Sequence, residues 1–165
     1  MQKIRTFLWF DDQAEEAANY YVKVFSERPG ATAGDSKVVN VARYGEAGPG
    51  DAGAVMTVTF QLGGEEFIAL NGGPVFAFTE AVSLFVNCES QDEVDDLWTK
   101  LTDRGAESDC GWLKDRYGLS WQIVPKELME YVGGPDPVKS QAAMKAMLSM
   151  KKLDANELRR AYEAA

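Results

Sequence analysis

The sequence predicts an α+β fold: two successive β-α-β-β-β modules, at about 1–73 and 80–125, with a helical extension of the same domain over 126–165. Three observations predict it. The order strand, helix, three strands occurs twice, an internal duplication that chance propensity rarely produces. Within each module, the joints between the later strands carry glycines and turn formers. After Pro125, strand-like runs give way to helical spacing with capping residues.

In the first module, residues 4–10 are an apolar run rich in strand formers. It ends at Asp11 and Asp12, either of which can accept from free N–H groups at a helix start, and Asp12 with Glu15 fits a capping arrangement. From Ala14, the apolar positions Ala17, Ala18, Tyr21, Val24 and Phe25 recur at helical spacing, so one stripe of a helix reaching about Phe25 faces a sheet. Pro29 and Gly30 break it. Strands follow at 37–44, 55–62 and 66–70. The joint between the first two holds Gly48, Pro49 and Gly50, and Gly63-Gly64 is a hairpin signal.

The second module opens with a strand at 82–86. Ser90-Gln91-Asp92-Glu93 is a capping box for a helix whose stripe is Val94, Leu97, Trp98 and Leu101, and Gly105 stands where a left-handed residue would close it. Short strands fit 107–110, 112–114 and 120–124, with Tyr117-Gly118 as a turn that Asp115 organises through local hydrogen bonds. In the extension, 126–132 is a short helix stopped by Gly133-Gly134, and Pro137 follows Asp136 as an N1 proline. Val138, Ala142, Met147 and Leu148 mark the next helix, to about 150. Asp154 and Glu157 cap the last one, flanked by Leu153 and Leu158 at the positions of a hydrophobic staple.

Composition narrows the function. The 165 residues are 45% hydrophobic, enough for one substantial core. With 17 Lys and Arg against 26 Asp and Glu, the net charge is −9, which repels a phosphate backbone, so no nucleic-acid partner is expected. The acidic helix face Asp92, Glu93, Asp95 and Asp96 reads as a solvated surface. The chain has no histidine, which excludes Ser-His-Asp triads, Cys-His dyads and HExxH zinc sites. Cys88 and Cys110 read as free thiols of a reducing compartment, with Cys110 buried and inert; two sulfurs alone do not complete a zinc site. The opening lacks a run long enough for a signal peptide, and no later run approaches a membrane span. A cytoplasmic location without a membrane partner is the expectation.

The stretches FLWFDDQAEEAANYY, ALNGGPVFAFTEAVSLFV and CGWLKDRYGLSWQIVP resemble the PhnB-like branch (3-demethylubiquinone-9 3-methyltransferase-like domain) of the glyoxalase, bleomycin-resistance and dioxygenase group, the vicinal-oxygen-chelate superfamily. The resemblance spans residues 4–125 and continues into QAAMKAMLSMKKLD. It implies two curled mixed sheets of four strands, each a half-open cup with a helix packed outside. Cups of this type are commonly completed by a partner chain, so the resemblance also implies a homodimer.

Metal-dependent members of that superfamily place one ligand on each of four strands. The resemblance puts these positions at Arg5, Ala69, Ala81 and Gln122, with Glu80 the carboxylate one residue from Ala81. Arginine has no acceptor, and a lone oxygen ligand is weak even for Mg²⁺, so no metal and no cofactor is expected. The methyltransferase label is not supported by the glycines: Gly45, Gly48 and Gly50 lie between strands, whereas a cofactor-binding turn joins a parallel strand to a helix.

If Leu8 and Phe10 face the helices, alternation turns Arg5, Phe7 and Trp9 into the cup. The same rule sends Ser120 and Gln122 inward with Trp121 and Ile123 outward, and sets Asn71 on the inner side with Ala69 and Phe67; Arg43 and Lys114 reach the rim. An aromatic cup with a few amides and cations is an organic-ligand pocket. The leading expectation is therefore metal-free binding of a small organic molecule by Arg5, Phe7, Trp9, Arg43, Asn71, Lys114 and Gln122. The alternatives are a metal-dependent lyase, isomerase or dioxygenase using Glu80, and a resistance-type binder that sequesters a basic, flat drug, which the net charge favours.

Overall fold

The computed structural model describes residues 2–165. The chain divides into two compact units, one ending at Phe78 and the other running from Thr79 to Ala165. Each contains a four-stranded mixed sheet with a helix on one face.

The first unit comprises β1 (Thr6–Phe10), α1 (Ala14–Ser26), β2 (Lys37–Arg43), β3 (Val55–Leu62) and β4 (Glu65–Asn71). The strand order is β1-β4-β3-β2; β1 runs parallel to β4, and the other pairs are antiparallel. The stripe read from the sequence is the buried one: Ala17, Ala18, Tyr21, Val24 and Phe25 all lie in the core. Tyr21 stacks on Phe60 of β3 at 6.2 Å between centroids, and Phe60 stacks on Phe67 of β4 at 5.5 Å. Gly63 and Gly64 both have positive φ, 56° and 88°, which a tight two-residue hairpin of primed type requires.

The second unit opens with β5 (Ser83–Cys88), α2 (Gln91–Thr102), β6 (Ala106–Glu107), β7 (Trp112–Lys114) and β8 (Ser120–Pro125), in the order β5-β8-β7-β6. β5 is parallel to β8, so the pattern of the first unit is repeated. In α2, the Ser90 hydroxyl accepts from the Glu93 N–H at 3.2 Å, and the buried Glu93 carboxylate accepts from the Glu89 N–H at 2.8 Å. Val94, Leu97, Trp98 and Leu101 form its buried stripe.

Two local expectations are corrected here. The left-handed residue after α2 is Arg104, with φ 58°, not Gly105. Gly105 is needed for another reason: a Cβ there would stand 2.2 Å from the Lys114 carbonyl oxygen, because this loop passes against β7. The strand expected over 107–110 is also shorter. Cys110 and Gly111 turn with positive φ, and their N–H groups donate to the Met150 and Lys151 carbonyls; the Cys110 thiol, expected to be buried, is unbridged and only partly buried.

The tail forms α3 (Leu128–Val132), α4 (Pro137–Leu148) and α5 (Ala155–Glu163). Leu128, Met150, Leu153 and Leu158 pack with Val124 of β8 into one cluster. The Asp136 carboxylate accepts from Val138 and Lys139 N–H, and the Asp154 carboxylate accepts from Glu157 N–H, as their capping positions predict. In α4 the expected stripe is only partly inward: Met147 packs against that cluster and Ala142 is half-buried, but Val138 and Leu148 are exposed, while Ser140 and Ala143 are buried. α4 packs against α5 and α3, and the buried Ser140 hydroxyl is satisfied by donating to the Gly134 carbonyl at 3.1 Å. Among the described residues, no helix is long and apolar enough to cross a membrane.

Candidate functional site

Each sheet has one face covered by its helix and one open face, and most of the site residues expected from the sequence lie on the open faces. In the first unit, Leu8 and Phe10 are buried under α1, which turns Arg5, Phe7 and Trp9 to the opposite side. Phe7 is 55% exposed. Parallel pairing places Ile68 beside Phe7 and Leu70 beside Trp9. The Arg5 guanidinium donates to the Glu66 carboxylate at 2.6 Å.

Trp9 is held in place. Its indole N–H donates to the Gly73 carbonyl at 2.9 Å, and its ring meets Phe76 edge-on at 5.0 Å. A Cβ on Gly72 would lie 2.2 Å from the indole, so only glycine lets the chain after β4 press against that ring. Arg43 lies at the end of edge strand β2, where its guanidinium donates to the Gly53 carbonyl at 3.0 Å.

Asn71 departs from its expected place. The register pairs Leu8 with Ala69 and Phe10 with Asn71, so Phe67, Ala69 and Asn71 share the helix-facing side, not the open one. The Asn71 amide oxygen accepts from the Ala14 N–H at 2.7 Å and its amide nitrogen donates to the Val55 carbonyl at 3.2 Å. Asn71 therefore caps α1, the role expected of Asp12 with Glu15; the residue at the N-cap, Gln13, makes no side-chain cap. The Tyr44 hydroxyl donates to the Asn71 carbonyl at 2.6 Å. Asn71 and Tyr44 also line a cleft of about 520 Å³ that carries the carboxylates of Asp11, Asp12, Glu15 and Asp51.

In the second unit, Trp121 and Ile123 are buried under α2, and Gln122 turns to the open face beside Phe85, which is 49% exposed. The Gln122 amide nitrogen donates to the Ser83 hydroxyl at 2.9 Å. On β7, Lys114 shares that face with Trp112, opposite Ser120 and Gln122 respectively. Lys114 pairs with Glu80. This hydrogen bond, more than any other influence, holds the Glu80 carboxyl below its usual value. Lys114, Glu80, Trp112 and the buried Ser120 line a cavity of about 250 Å³.

A divalent metal does not fit these residues. Ala69 is buried on the helix side, and its open-face neighbours Ile68 and Leu70 are apolar. Arg5 and Glu66 neutralise each other, Glu80 is taken by Lys114, and Gln122 has only a neutral carbonyl to offer. Among the described residues, no three His, Cys, Asp or Glu side chains gather as a metal-holding group.

Sequence reasoning did not single out Trp112, Phe85 or Phe76 as site residues. Alternation in β5 and β8 could have found Phe85, whereas Phe76 lies in an irregular segment whose path no periodicity encodes. Nor did it anticipate that Glu80 would meet Lys114.

Comparison with known proteins places this geometry. The model of the family described as 3-demethylubiquinone-9 3-methyltransferase matches residues 2–124. A putative 3-demethylubiquinone-9 3-methyltransferase, PhnB protein, from Bacillus cereus is 40% identical, over 75% of this chain and 99% of that one, with a TM-score of 0.64. The protein PA1353 from Pseudomonas aeruginosa, 18% identical over 76% of this chain and 98% of its own, has a TM-score of 0.62 and shares the fold. No curated protein matches the chain.

Proposed function

The chain belongs to the 3-demethylubiquinone-9 3-methyltransferase family of PhnB-like proteins, and from that premise we propose that it binds a small organic molecule without a metal. The observation that carries this reading is the chemistry of the open faces. Aromatic side chains gather there, exposed Phe7 and half-buried Trp9 on one sheet and exposed Phe85 and half-buried Trp112 on the other, with Arg5 and Lys114 as the nearby cations. Exposed aromatics beside a few polar anchors suit an organic ligand, since burying a large apolar side chain is worth about 1.5–3 kcal/mol and an isolated domain would gain by covering it.

Two features support reading the methyltransferase description as a label without the matching chemistry. The β1-to-α1 joint is Asp11-Asp12-Gln13 and the β5-to-α2 joint is Glu89-Ser90. Neither has the glycines that let a phosphate or nucleoside cofactor approach backbone N–H groups at a helix start. The donor set described above also supports metal-free binding over a metal-dependent lyase, isomerase or dioxygenase. Cys88 and Cys110 form no disulfide, which supports a cytoplasmic location.

The acidic cleft around Tyr44 favours a second reading, sequestration of a cationic aromatic drug, because four carboxylates there would attract a cation. Metal analysis of protein purified without chelator, together with tryptophan fluorescence titrations against organic anions, neutral aromatics and cationic aromatic antibiotics, tests both readings. We expect substoichiometric metal and saturable quenching by an aromatic ligand. One metal ion retained per chain would overturn the metal-free reading; no response from any cationic antibiotic would remove the second.

A further inference from the structure

Ser120 has a polar atom with nothing to bond. Its residue is 1% exposed and its hydroxyl has no hydrogen-bond partner, although it lines the 250 Å³ cavity with Lys114, Glu80 and Trp112. Buried hydroxyls are almost always satisfied, so an orphan facing a cavity indicates where a ligand's polar atom belongs. Lys114 lies directly opposite Ser120 in the β7–β8 register, and both line this cavity, so it carries a cation and an O–H donor. The acceptor seated at Lys114 is the Glu80 carboxylate, which comes from the segment preceding β5 and is itself 63% exposed.

We propose, building on the small-molecule reading above, that this cavity takes a small planar monocarboxylate whose carboxylate displaces Glu80 from Lys114 and accepts from the Ser120 hydroxyl. Glu80 occupies the ligand's place in the free protein. An exposed ion pair of this kind is weakly held, so giving up Glu80 to water costs little, whereas the ligand also satisfies a buried donor that Glu80 leaves unmet. Trp112, on the open face and in the same cavity, supplies the flat surface for the ring. One cation with two carboxylates, Glu80 and Glu107, on the lining favours a monoanion over a phosphate dianion. The volume lies below the roughly 300 Å³ at which pockets for drug-sized ligands begin, so the ligand is of the order of a single substituted ring.

The test titrates the full chain with benzoate, benzamide and benzylamine, by calorimetry and by following backbone and indole N–H resonances. Benzoate is expected to bind more tightly than the other two and to shift the Trp112 and Ser120 signals. Glu80→Gln frees Lys114 and is expected to tighten benzoate binding about threefold or more. Lys114→Gln is expected to weaken it at least about tenfold, and Ser120→Ala by about tenfold, with Ser120→Ala leaving the folded protein as stable as before because its hydroxyl bonds nothing. Benzamide and benzoate binding alike, with Lys114→Gln without effect, would overturn the carboxylate assignment and leave small-molecule binding standing. Tighter binding of benzylamine than of benzoate would overturn it too. If none of the three binds the natural chain or Glu80→Gln, both this inference and the small-molecule reading at this face fail.

Discussion

The Asp115 carboxylate accepts from the Tyr117 N–H at 2.8 Å, the Leu119 N–H at 3.1 Å and the Trp121 indole N–H at 2.8 Å. Its place before Tyr117-Gly118 made the turn legible in the sequence, whereas the bond to Trp121 depends on the strand returning beneath it. Asp115→Ala strands buried donors and is expected to cost at least about 2 kcal/mol in urea unfolding, with Asp115→Asn intermediate because it keeps one acceptor. Asp35 gives a pH prediction. The Arg28 guanidinium, at 2.9 Å, is the main reason its carboxyl is held below the usual 3.8, against the opposing effect of burial. A lowered folded value means the unfolded chain takes up the proton first, so this pair stabilises fully above that usual value and its contribution is lost as the pH falls through the lower folded one. The stability gap between the natural chain and Asp35→Asn is expected to be constant from neutral pH down to the usual value of 3.8 and to close below it in acid-unfolding curves; a gap that widens on acidification would contradict the pairing. Asn71 shows what the sequence withheld at this scale. Residues 67–70 are Phe, Ile, Ala and Leu, with no polar alternation to read, so the side each faces is set only by the register against β1.

At the scale of elements, α1 and α2 could be read because each buries one stripe that repeats at 3.6 residues, and α2 also starts at the Ser90 cap. The α4 stripe could be read only in part: Met147 packs inward, but Ser140 and Ala143 are buried and Val138 and Leu148 stay outside. The α3–α5 extension is part of the second unit's core, not an appendage. Val124, in β8, is 3% exposed because Leu128, Met150, Leu153 and Leu158 gather around it. Leu153 is fully buried and sits at the staple position of α5. Leu153→Ala is expected to cost about 2–5 kcal/mol, measured by denaturant unfolding. The same substitution also removes packing from Gly111, whose added Cβ would meet the Leu153 side chain at 2.9 Å, so exchange of the amides of Cys110 and Gly111 is expected to quicken.

On the scale of the whole molecule, the net charge of −9 disfavours nucleic acid, and the family match places the chain among PhnB-like proteins. We also propose that it works as a homodimer. Exposed apolar side chains, among them Val75 and Phe76 in the first unit and Val82 and Phe85 in the second, are the kind of surface a second copy covers. Light scattering after size-exclusion chromatography is expected to give twice 18.2 kDa at micromolar concentration; the monomer mass at every concentration would end that proposal.

The order of elements, the duplication and the buried stripes of α1 and α2 were all present in the sequence, because each depends on residue type and spacing along the chain. Tertiary structure alone decided that Asn71 caps α1, that Gly105 and Gly72 serve close approaches, and that Glu80 occupies Lys114 beside an unsatisfied Ser120. Each of these joins groups that are distant in sequence or depends on strand register, and pairing across space is not encoded in local periodicity.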